Sequence, residues 1–293
     1  MMQIQSLLFK ILIIVIMLVL FVCVSMSNYS HSIRKTVYRM FQKGTLLVLE
    51  YQTSDFDTVE SNNFELKYTK NDEDIAICVL KMAEEYLIRA EKLLEFRHKK
   101  DKVLLVLFED EKALNKSFGW SGDKSAVGVY WAGSIRLVSP RAWADEDLED
   151  ADTEKIEEIF RRNGPLSHEL THFLIDEMTE GNYPRWLTEG LAQYVEEKIT
   201  GFTLNEPLFV SEDRVYLFSK LNSDFDNKPD QVMAYWQSFE IVRALIKEFG
   251  MEKMDELLDE LRRGTKFNQA FERTYNIYFC DYEEKFLQEV TLS

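Results

Sequence analysis

The chain has 293 residues, 46% of them hydrophobic and 13% aromatic, which is enough apolar material for a sizeable buried core and excludes disorder by composition. Acidic residues outnumber basic ones by 51 to 35, for a net charge of −16, which argues against a nucleic-acid surface built of clustered Lys and Arg. Three cysteines without a C-x-x-C spacing exclude a zinc ribbon or a thioredoxin-type redox motif. Cys23 falls in an apolar run, and the pairing of Cys78 with Cys280 stays open.

That run, residues 7–26 (LLFKILIIVIMLVLFVCVSM), carries one charge, Lys10, and as a helix would span roughly 30 Å, the hydrocarbon thickness of a bilayer. It reads either as a membrane anchor or as a signal peptide cleaved near Ser25-Met26-Ser27. Arg34, Lys35, Arg39 and Lys43 follow it and would favour a cytoplasmic catalytic part, but large domains translocate largely regardless of flanking charge. The expectation is a single-pass, membrane-anchored protein facing outside the cytoplasm, or a secreted one if the segment is cleaved.

After a polar juxtamembrane stretch, Phe64–Tyr68 (FELKY) alternates like a half-buried strand, and residues 74–96 place apolar side chains at helical spacing. Residues 101–108 (DKVLLVLF) have the pattern of a central strand, and residues 127–131 and 134–138 flank Ala132-Gly133 as a β-hairpin. The acidic stretch 145–158 reads as a loop and an exposed helix, since it lacks EF-hand spacing. Gly164-Pro165 opens a new helix, and strand signals then vanish. Residues 163–178, 184–199, 230–249, 251–263 and 281–290 all read as helices, with Gly181, Gly201, Gly250 and Gly264 as stops. The chain therefore divides into an anchor or signal (1–27), a juxtamembrane linker (28–60) and one α+β domain (61–293). Within that domain, 61–180 holds a small mixed sheet with its helices and 181–293 is all-helical.

The informative string is Ser167-His168-Glu169-Leu170-Thr171-His172-Phe173. Histidines at i and i+4 project from one helix face, where two imidazoles can bind one zinc ion, and Glu169 between them can act as general base on the metal's water. Zinc needs a third protein ligand. The other histidines, His31 and His98, are poorly placed, and Ile175 and Met178 stand where a metzincin has its glycine and third histidine. A carboxylate is the better candidate: Glu189 lies early in the helix opened by Pro184-Arg185-Trp186, where antiparallel packing would face it to the histidines. Gly190 and Ala192 would permit that approach.

His168-Glu-Leu-Thr-His172 followed by Trp186-Leu-Thr-Glu189-Gly-Leu-Ala192 resembles the gluzincin metallopeptidases of the thermolysin-like superfamily, in particular their peptidase-MA-like branch. The resemblance implies zinc held by His168, His172 and Glu189, with Glu169 as catalytic base. It also implies an edge hairpin over the active-site helix, along which an extended polypeptide substrate adds as a strand. Tyr235, in a Tyr-x-Gln-Ser segment, is the candidate donor to the developing oxyanion, or else packs in the core. Gln193 stands four residues beyond Glu189, where thermolysin has an aspartate, and would support a ligand histidine or lie on the helix surface. The implied activity is zinc-dependent peptide-bond hydrolysis. The alternative is an inactive zinc-binding membrane scaffold of the same fold, against which stands the presence of all four residues.

Overall fold

The computed structural model describes residues 31–99, 102–120, 126–143, 152–207, 210, 214–223 and 225–292. The apolar run 7–26 and residues 145–151 of the acidic stretch lie outside them. Among the described residues no helix is long and apolar enough to cross a membrane.

Five strands form one mixed sheet: β1 (Asp57–Glu60), β2 (Phe64–Tyr68), β3 (Val103–Phe108), β4 (Gly128–Trp131) and β5 (Ser134–Val138), in the order β1-β2-β3-β5-β4. β2, β3 and β5 run parallel, while β1 and β4 close the two edges antiparallel. The VLLVLF run of β3 is central and buried on both faces, as a strand covered from both sides must be. Val103, Leu105 and Leu107 face the main core, and Leu104, Val106 and Phe108 face a second, smaller one. The β4–β5 turn places Ala132 at φ 48° and Gly133 at φ 91°, the double positive φ of a tight hairpin.

Helix α1 (His31–Gln52) precedes the sheet, α2 (Glu73–Leu93) follows β2, and α3 (Glu111–Phe118) follows β3. From residue 153 every described element is helical: α4 (Thr153–Asn163), α5 (Leu166–Thr179), α6 (Arg185–Thr200), α7 (Phe218–Ser223), α8 (Gln231–Phe249), α9 (Met251–Arg262), α10 (Phe267–Tyr275) and α11 (Phe279–Leu292), with a short 3-10 turn (Phe225–Asn227) between α7 and α8. The fold is thus α+β, a mixed sheet followed by a mostly helical half, as the sequence predicts.

Residues 31–52, read from sequence as part of a polar linker, are a 22-residue helix. The pattern hides it because the burial is inverted: Gln42 is buried while Met40, Leu47 and Tyr51 are 64%, 66% and 77% exposed. Strand β1 (DTVE) carries charge and little apolar burial, so only its pairing with β2 reveals it. Helix α3 is short, but its ends were legible in principle. The Asp110 carboxylate accepts from the Ala113 N–H at 2.6 Å, and Gly119 ends the helix in the left-handed region.

Candidate metal centre

Helix α5 begins directly after Pro165 and is buried almost throughout, with Leu166, Leu170, Phe173, Leu174 and Ile175 fixed in the main core. This locks its rotation and leaves the His168 and His172 rings on one face, their centroids 4.7 Å apart. Helix α6 starts after Pro184 and packs against α5, bringing Glu189 to the imidazoles at 1% exposure. Glu189 Oε2 lies 3.2 Å from His168 Nε2 and 3.5 Å from His172 Nε2. A tetrahedral zinc site with bonds of about 2.0–2.1 Å spaces neighbouring ligand atoms about 3.3–3.4 Å apart, close to the two carboxylate–imidazole distances here, and the donor chemistry fits zinc. Ligand atoms of His168, His172 and Glu189 all lie within 4.8 Å of one another.

Each of the three side chains is steered from behind. His168 Nδ1 is 3.2 Å from Glu196 Oε2, and His172 Nδ1 is 2.7 Å from Thr188 Oγ1, which turns both Nε2 atoms inward. Arg185 Nη2 binds Glu189 Oε1 at 2.8 Å, leaving Oε2 for the histidines. Burial alone would raise the Glu189 carboxyl, but His172, His168 and Arg185 outweigh it and hold it well below the usual carboxylate range. Burial likewise favours neutral His168, yet Glu189 and Glu196 outweigh it and raise its proton affinity well above the ordinary value.

Residues 157–290, which contain all of these side chains, match the family model described as the Peptidase MA superfamily. The chain carries a Peptidase MA superfamily domain. That family consists of zinc metallopeptidases, and a His-His-Glu set is consistent with such a site. No curated protein matches the chain.

Among the contacts that the Peptidase MA domain receives from outside the matched segment, one reaches the residue beside His168. Glu169, buried beside His168, accepts a hydrogen bond at 2.5 Å from the backbone N–H of Tyr130 on β4. The strand comes this close because residue 128 is glycine: a Cβ there would stand 2.5 Å from Pro165 Cγ at the start of α5. β4 is therefore both a sheet edge and a neighbour of α5.

Two expected residues behave differently. Gln193 does not reach a histidine: its Nε2 donates to the Tyr235 carbonyl at 3.2 Å, and the place behind His168 belongs to Glu196. Gly190 does not serve the approach to α5. A Cβ there would stand 2.2 Å from the Ser238 carbonyl oxygen, so it lets α6 press against α8 instead. Tyr235 sits at the start of α8 with its ring edge-on to Phe225, and burial followed by the Glu189 charge pushes its phenol up to about 12. The charges of Glu189, Asp226 and Glu169, together with Tyr235, all bear on Arg185, so these groups converge around one guanidinium.

Sequence reasoning missed Arg185, Thr188, Glu196 and Tyr130. Arg185 at i−4 and Glu196 at i+7 from Glu189 share its helix face, a spacing signal that was there to be read. The Tyr130 contact is a backbone N–H and left no trace in residue types.

Proposed function

We propose that the protein is a zinc-dependent peptidase acting on extended polypeptide segments. The observation that carries this reading is the convergence of His168, His172 and Glu189, whose ligand atoms all lie within 4.8 Å of one another, with Glu169 adjacent. Zinc bound there would act as a Lewis acid toward the scissile carbonyl and lower the pKa of water. Glu169 takes the proton from the attacking water and passes it to the leaving nitrogen. Tyr235, a phenol protonated at neutral pH, donates to the oxyanion as it develops. Glu196 and Thr188 hold the ligand imidazoles by their far nitrogens, and Arg185 fixes the Glu189 carboxylate.

Substrate docks as an added strand on β4. The Tyr130 N–H points away from β5 toward Glu169, and in an antiparallel ladder the carbonyl of the same residue faces the same side. That carbonyl is offered to a substrate N–H beside the catalytic base. Residues 7–26 tether the enzyme to a membrane, with the catalytic part outside the cytoplasm. Their apolar length supports this, and protease accessibility on intact cells tests it.

The deciding experiment is digestion of an unfolded protein such as reduced casein by the purified full-length chain, with and without a chelator, alongside metal analysis. About one zinc per chain and chelator-sensitive cleavage are expected. Zinc without cleavage of any peptide substrate would leave a zinc-binding scaffold, and no zinc after metal-supplemented purification would remove the reading altogether.

A further inference from the structure

Helix α5 presents a third polar residue on the face of His168 and His172: Asp176, one turn further on and 1% exposed. A carboxylate this deep persists only if it is well supplied with donors. The Tyr38 hydroxyl (2.5 Å) and the Tyr183 hydroxyl (3.4 Å) reach Oδ1, while Gln42 Nε2 (2.7 Å) and the Tyr130 hydroxyl (2.5 Å) reach Oδ2. These donors come from three separate segments: α1 supplies Tyr38 and Gln42, the edge strand β4 supplies Tyr130, and the turn before α6 supplies Tyr183.

Tyr130 is the uncommon member, because it is fastened to α5 at both ends. Its backbone N–H is on Glu169, and its hydroxyl is on Asp176, seven residues and about 10 Å further along the same helix. The hydroxyl also accepts from the Gly133 N–H in the hairpin turn at 3.1 Å, and the ring packs edge-on to Phe173. The spacing of β4 over the active-site helix is thus set by two anchor points, one of which is the catalytic base. Helix α1 steadies the second: besides Tyr38 and Gln42, its Phe41 ring stands edge-on to Trp131 at 6.2 Å, and Lys35 and Arg39 pair with Glu180 just past α5.

We propose that Asp176 is a positioning residue for Glu169 and the edge strand, acting through the Tyr130 hydroxyl, and that α1 completes the active site by holding Asp176 with Tyr38 and Gln42. This rests on the peptidase reading for its kinetic consequence but not for its structural one. Burial followed by the Asp176 charge raises the phenols of Tyr130 and Tyr38, so both remain donors across the neutral range.

Tyr130→Phe and Tyr38→Phe each remove one hydroxyl and keep the ring. In the zinc-loaded full-length protein, Tyr130→Phe should keep its metal and lose about tenfold in kcat, through the loosened base. Tyr38→Phe touches neither ligand nor base, yet should lower kcat in the same direction. The double variant should lose less than the product of the two, as members of one network do. Amide hydrogen exchange at Tyr130 gives a readout that needs no turnover: both variants should exchange there at least tenfold faster than wild type, with exchange in the α8 core unchanged. Lowered melting temperature with unaltered kcat, KM and Tyr130 exchange would reduce the cluster to a structural one and overturn the proposal. Were the wild-type protein to cut nothing, the peptidase reading would fall, and the exchange measurement alone would still decide this one.

Discussion

At the scale of single residues the proposed function separates holding the metal from using it. Glu169 belongs to the second task, so Glu169→Gln, which keeps size and removes the base, should retain zinc while activity falls by several orders of magnitude. Metal content and turnover measured on one preparation check this; near wild-type cleavage would force Glu169 to be reassigned. Glu196 belongs to the first task. Glu196→Gln removes the charge behind His168, and zinc affinity should weaken about 10–100-fold by competition with a chelating dye. The raised His168 value adds a pH dependence. A proton bound more tightly in the folded than in the unfolded state stabilises the metal-free fold fully below the ordinary pKa near 6.5, and this is lost as pH rises through the folded value. The chelated protein should therefore melt at lower temperature as pH is raised above about 6.5. Zinc must displace the same proton, so its apparent affinity should rise over that range. A flat titration of both quantities would contradict the assignment of Glu189 and Glu196 as its partners.

At the scale of elements, the sequence was most legible where chemistry and periodicity share one helix. The histidine pair, Glu169 and the Trp-Leu-x-Glu-Gly string announce α5 and α6, and Pro165 and Pro184 mark their starts. Gln193 shows the limit of the method: position four beyond Glu189 had the right spacing, but Glu196, two turns beyond, has the reach, and only packing angles decide between them. Helix α1 was invisible because its buried face carries Tyr38 and Gln42, polar residues whose partner Asp176 lies more than a hundred residues away. The hairpin was legible from its turn, whereas the outermost position of β4 came from the pairing. Its proposed role as a docking edge is tested by placing proline at successive positions of a cleaved peptide, each removing one backbone donor. Cleavage should fail at specific flanking positions; indifference at every position but the scissile bond would mean that side-chain pockets dominate.

At the scale of the whole molecule, the edge strand β4 lies against α5 and holds Glu169 there. If substrate adds to β4 as proposed, main-chain recognition has little regard to sequence, so unfolded proteins should be cut and compact domains spared, measurable by comparing native and reduced forms of one disulfide-bonded substrate. The family match spans residues 157–290, and His168, His172 and Glu189 fall inside it, yet Tyr130, which bonds Glu169 and packs on Phe173, and all five strands lie before residue 139. The recognisable segment is therefore shorter than the stretch of chain whose contacts meet at the site. An expression fragment cut at the family boundary would keep every zinc ligand, shed the partner of its base, and bare the apolar flank of the active-site helix to water. In this protein, the gene segment that can be recognised is shorter than the segment that must be inherited together.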